Sequence, residues 1–96
     1  MTQLLNDSAV EQALGTVPEW QRDAATIVRT AELPSFPAAI EVVDRVAELA
    51  EEAGHHPDID IRWRTLTFRL STHSLGGLTE ADFALARRID ELLAAR

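Results

Sequence analysis

Between Ala53 and Asp58 the apolar pattern changes its period, and this change limits the fold more than any other feature of the chain. Before it, Ile40, Val43, Ala47 and Ala50, with Val42, Val46 and Leu49 alongside, form a broad apolar face. Glu41, Asp44, Arg45, Glu48, Glu51 and Glu52 lie opposite, which predicts an amphipathic helix from about Phe36 to Ala53. Ser35 is a candidate N-cap, and Pro37 fits the first turn, where its missing donor costs nothing. Gly54 suits a left-handed C-cap and Pro57 prevents continuation, so His55 and His56 fall in a forced turn. After it, Leu66, Phe68 and Leu70 alternate with Thr65, Thr67, Arg69, Ser71 and His73. That period of two predicts one long strand over Ile59–His73, with one face on a core and His73 at its exit.

The flanking segments extend the pattern. Asn6, Asp7 and Ser8 precede Val10, Ala13, Leu14 and Val17; Ser8-Ala-Val-Glu11 has the form of a capping box, and Gly15 and Pro18 end a short first helix, the glycine as a left-handed C-cap. From Trp20 to Leu33 the residues are β-branched and alternating, which predicts a hairpin turning near Asp23-Ala24. Gly76-Gly77 breaks the chain, and the capping box Thr79-Glu-Ala-Asp82 opens a last helix with a buried stripe of Phe83, Ala86, Ile89, Leu92 and Leu93. The order α-β-β-α-β-α predicts a two-layer α+β domain over residues 1–96, an antiparallel sheet with three helices packed on one face. A ferredoxin-like split βαβ is the closest competing topology.

Composition removes several chemistries. All nine basic residues are arginine and there is no cysteine, so lysine Schiff bases, thiol nucleophiles, disulfides and thiolate metal sites are excluded. A formal charge of -7 disfavours direct binding to nucleic acid or anionic lipid. Met1–Asp7 lacks a basic region followed by an apolar run, and no stretch approaches the roughly 20 apolar residues of a membrane span. The expected location is cytoplasmic.

All three histidines fall in one window, His55-His56 and His73. Both segments flank the same predicted junction of helix and sheet, so they can converge. Imidazole titrates near neutral pH and can serve as acid or base there.

These residues carry a resemblance that covers most of the chain. Glu51-Glu-Ala-Gly-His-His-Pro-Asp58, Leu70-Ser-Thr-His73 and Gly76-Gly-Leu-Thr-Glu-Ala-Asp82 follow one another as in the pterin-4a-carbinolamine dehydratases. Trp20, Arg29, Val46-Ala47-Glu48, Leu85-Ala86 and Ile89-Asp90 fit the same pattern. The chain departs from it at Arg29-Thr-Ala-Glu-Leu33, where the family commonly alternates arginine with phenylalanine, and at Pro37 and Ile40, which replace larger residues. The resemblance implies dehydration of a 4a-hydroxytetrahydropterin to the quinonoid dihydropterin, the step that recycles the cofactor of aromatic amino-acid hydroxylases. It implies no metal or organic cofactor, and a homodimer or homotetramer.

By resemblance, His56 and His73 do the acid-base work and His55 positions substrate or shares a proton. Asp82 matches the family's aspartate and would orient a histidine or bind the pterin ring, or else, as the N3 residue of the capping box, only satisfy a backbone donor. Apart from the resemblance, Trp20 and Trp63 are candidates either to stack on a pterin or to pack in the sheet. Two other readings stay open. One is a tri-histidine metal site, although adjacent histidines rarely reach one metal from a tight turn. The other is a non-catalytic role in protein interaction or assembly; relatives of that kind tend to lack the histidine set that this chain keeps.

Overall fold

The computed structural model describes residues 3–95. Met1 and Thr2, part of the amino-terminal segment read above for a leader, lie outside the described residues, as does Arg96. The elements are α1 (Asp7–Leu14), β1 (Gln21–Asp23), β2 (Thr26–Glu32), α2 (Phe36–Ala53), β3 (Asp58–Arg62), β4 (Thr65–Leu70) and α3 (Glu80–Ala94), with a single 3-10 turn at His73–Leu75. The four strands form one antiparallel sheet in the order β1-β2-β4-β3. The α+β class holds, with one more strand than the sequence reading counted.

The extra strand comes from a turn inside the segment read as one long strand. Trp63 and Arg64 form a two-residue loop between Arg62 and Thr65, and Trp63 takes a left-handed φ of 55°. A β-branched or bulky residue seldom adopts that conformation, and no glycine or asparagine announces the turn. The Arg64 guanidinium lies 4.9 Å from the centre of the Trp63 ring, a cation-π contact that holds the loop. β2 and β3 run parallel with β4 between them, so β2-α2-β3 is a split βαβ unit. The competing topology is thus present in part, extended by the β1-β2 hairpin.

That first hairpin turns through Ala24 and Ala25, and Ala24 has φ 54°. A left-handed alanine costs about 1–2 kcal/mol, of which glycine returns part through its own entropy. Ala24 is exposed and its methyl packs on nothing in the core. Ala24→Gly is therefore expected to stabilise the fold by about 0.5–1 kcal/mol, read as a rise in the urea midpoint.

One face of the sheet carries the core. Ile27, Leu66, Phe68 and Leu70 point inward and have no exposed surface, and Val10, Val42, Val46, Phe83 and Ile89 close over them from the three helices. The other face is polar: Thr30 and Thr67 hydrogen-bond across β2 and β4 at 3.1 Å, and Arg69 meets Asp23 at 3.5 Å. On α2 the buried stripe is Ala39, Val42, Val46 and Ala50, while Ala47 is exposed. The apolar face of α2 is broader than the strip it buries, so the sequence did not single out the buried half.

Two helix ends differ from expectation. Asn6, not Ser8, caps α1, its side chain accepting from Ala9 N at 2.8 Å. Gly15 is right-handed at φ -62°, because the chain continues through further turns to Val17 rather than reversing. Ser35, Pro37 and Gly54 fall on α2 as the spacing predicts.

Candidate active site

The site begins where α2 stops. Gly54 adopts φ 63° and ψ 32°, Gly54 N–H donates to Glu51 O at 3.2 Å, and His55 N–H donates to Ala50 O at 3.1 Å. These two bonds form a Schellman motif, which fixes the His55 backbone against the last turn of the helix. The side chain then faces the amino end of α3. There Thr79 and Asp82 make the expected capping box: Asp82 Oδ2 accepts from Thr79 N–H at 2.9 Å, and Thr79 Oγ1 accepts from Ala81 N–H at 3.2 Å.

Asp82 does more than cap the helix. It has no exposed surface, and its Oδ1 lies 2.5 Å from His55 Nε2. Thr72, one residue before His73, donates to Asp82 Oδ2 at 2.9 Å and lies 2.8 Å from the buried Thr79 hydroxyl. A buried carboxylate needs such partners, since losing water without them costs several kcal/mol. The positive end of the α3 dipole further favours negative charge at this position.

Ala53, Gly54, His55, Thr72, Ser74, Leu75 and Ala81 line a cleft of about 410 Å³ beside this couple. His55 is mostly covered, with 15% of its side chain exposed. His56 and His73 are not among the lining residues, but each is the chain neighbour of one that is. His56 is exposed and its Nε2 meets Glu51 Oε2 at 2.5 Å. His73 opens the 3-10 turn with its residue exposed. The two segments that the sequence suggested could converge do meet, through His55, Thr72 and Ser74.

Neither tryptophan lines this cleft. Trp20 is buried in the core and donates its indole N–H to Asp90 Oδ1 at 2.7 Å. Arg29 donates to the same oxygen at 2.5 Å, so its carboxylate partner lies on α3 and not on the sheet surface. Trp63 stands 70% exposed at the loop before β4, whereas Thr72 follows the end of that strand. The 6 residues of β4 between them, at roughly 3.3 Å each, span about 20 Å within one chain.

The residue that sequence reasoning passed over is Thr72. Its signal was weak, because a threonine at a strand exit beside a histidine reads as ordinary sheet composition. Among the described residues, no three histidine, aspartate or glutamate side chains are gathered to hold a metal ion, and no helix is long and apolar enough to cross a membrane.

Comparison with known proteins gives a consistent picture. The family model described as Pterin 4 alpha carbinolamine dehydratase matches residues 3–92. A protein of Nocardia farcinica, provisionally named pterin-4-alpha-carbinolamine dehydratase, is 64% identical over 91 residues, 95% of this chain and 96% of that one. A crystal structure of a transcriptional coactivator/pterin dehydratase from Brucella melitensis superposes with a TM-score of 0.89 at 28% identity, covering 93% of this chain and 97% of the other. A pterin dehydratase-like protein identified as a RuBisCO assembly factor in the alpha-carboxysome is similar at a TM-score of 0.62 and 28% identity, over 76% of this chain and 84% of that one.

Proposed function

The chain belongs to the pterin 4 alpha carbinolamine dehydratase family, and from that premise we propose that it dehydrates a 4a-hydroxytetrahydropterin to the quinonoid dihydropterin. The observation that carries this reading is the His55–Asp82 couple, with a fully buried carboxylate behind a histidine that lines a cleft. Loss of water across C4a and N5 requires a base for the N5 proton and an acid for the departing hydroxyl. The N–H electron pair becomes the new C4a–N5 π bond, the C4a–O bond breaks, and the acid's proton completes the water. Imidazoles are suited to both roles at neutral pH.

In this scheme His55, His56 and His73 surround the reacting edge. Asp82, having no exposed surface, acts through His55 rather than on the pterin directly. Trp20 and Trp63 receive no part in it.

The test is dehydration of the 4a-hydroxypterin generated in situ by an aromatic amino-acid hydroxylase. Added protein is expected to speed the decay of the intermediate's absorbance, and no acceleration would overturn the proposal. His73→Ala is expected to lower kcat by roughly 10²-fold, since a positioned acid or base contributes about that much. A wild-type rate in that variant would remove His73 from the chemistry.

A second reading is a role in protein interaction, favoured by the fold's occurrence in a coactivator/dehydratase and in an assembly factor. Absence of turnover by a folded protein would favour it.

A further inference from the structure

The groups behind Asp82 have a direction. Ala81 N–H donates to Thr79 Oγ1, and Thr72 Oγ1 donates to Asp82 Oδ2. A hydroxyl has a single proton. With the Thr72 proton committed to Asp82, the 2.8 Å contact between the two threonine oxygens is made by the Thr79 hydroxyl donating to Thr72. Asp82 Oδ2 also accepts Thr79 N–H, so that oxygen holds two donors and Oδ1 is the one presented to His55. An ionised carboxylate only accepts, so in this contact His55 Nε2–H is the donor to Oδ1. A neutral ring protonated at Nε2 carries its lone pair on Nδ1.

We infer that Thr72 is a positioning residue which, with Thr79 behind it, sets Asp82 so that His55 is held as the Nε2–H tautomer and Nδ1 is its basic nitrogen. In the reaction proposed above, on which this step rests, His55 Nδ1 takes the N5 proton, and an imidazole of His56 or His73 supplies the proton that leaves with the hydroxyl. The tautomer itself depends on the hydrogen bonds alone.

The test uses the full chain with ¹⁵N-labelled histidine. There are three histidines, and the His55 signals are identified by their loss in His55→Gln. Long-range proton-nitrogen spectra of the neutral ring are expected to show a protonated Nε2 and an unprotonated Nδ1. A wild-type His55 protonated on Nδ1 would overturn the inference without any variant. Thr72→Val, which removes only the hydroxyl, is expected to mix the two tautomers and to lower kcat about tenfold with little change in KM, the size expected of one hydrogen bond to a charged group. Thr72→Ser is expected to restore both. An unchanged tautomer and kcat in a folded Thr72→Val would also overturn it. If the wild type shows no turnover, the dehydratase reading fails, while the spectra still decide the tautomer.

Discussion

Asp82→Ala is expected to lower the melting temperature by roughly 10–25 °C, while Asp82→Asn leaves the fold nearly intact and removes about 10²-fold or more of kcat. Alanine strips the acceptors from the Thr72 hydroxyl, the Thr79 N–H and the His55 ring, two of these residues being almost wholly buried. Each buried donor left without a partner costs about 1–3 kcal/mol, and a total near 3 kcal/mol moves a domain of this size by that many degrees. Asparagine keeps one carbonyl oxygen for Thr72 and Thr79 but turns an amide donor toward His55. The ring then has to accept at Nε2 and carry its proton on Nδ1, the tautomer opposite to the one inferred. The catalytic loss follows from this inversion, as it does when the carboxylate of a catalytic triad is replaced by an amide. Calorimetry and the dehydration assay on the two variants separate the effects. Equal losses of stability in both would reduce Asp82 to a helix cap.

Phe68→Ala is expected to bring the protein close to unfolding. Phe68 has no exposed surface and lies on β4 between Arg29 of β2 and Ile59 of β3, at the centre of the sheet's buried face. Removing a buried phenylalanine ring typically costs about 3–5 kcal/mol, through lost transfer energy and the cavity left behind. Domains of this kind have about 5–15 kcal/mol in total. Urea unfolding should show a large fall in midpoint at an unchanged slope, and Phe68→Leu, which fills most of the space, should cost under about 1.5 kcal/mol. A fall of less than 1 kcal/mol for the alanine variant would mean that neighbouring helices collapse into the gap.

Much of the fold could be read from residue types. The apolar spacing gave the extent of α2, and Ser35, Pro37 and Gly54 marked its ends where the structure has them. Thr79 and Asp82 announced α3 in the same way. What escaped was the division of Ile59–His73 into two strands, because the turn uses Trp63 in a left-handed conformation and keeps alternation intact on both sides. Side-chain partners were less legible still. That Asp82 reaches His55 depends on the approach of α3 to the end of α2, a distance of 27 positions in sequence. That Trp20 serves Asp90 depends on the hairpin lying against α3. Periodicity reports which face is buried, not which polar atom waits there.

The strand order β1-β2-β4-β3 has a consequence for how the chain reaches this state. Each outer strand is joined to its neighbour by a two-residue loop, so both hairpins can close early and at small entropic cost. The seam between β2 and β4 is different. It joins partners as far apart as Ile27 and Leu70, with all of α2 in between, and therefore dominates the barrier to folding. The end of α2 and the exit of β4 do not depend on that seam, because the β3-β4 hairpin pairs Asp58 with Arg69 and brings both toward the start of α3 without β2. The surroundings of His55 and Asp82 thus draw on one contiguous stretch, from the end of α2 to α3, whereas the apolar face beneath them is completed only when β2 joins β4.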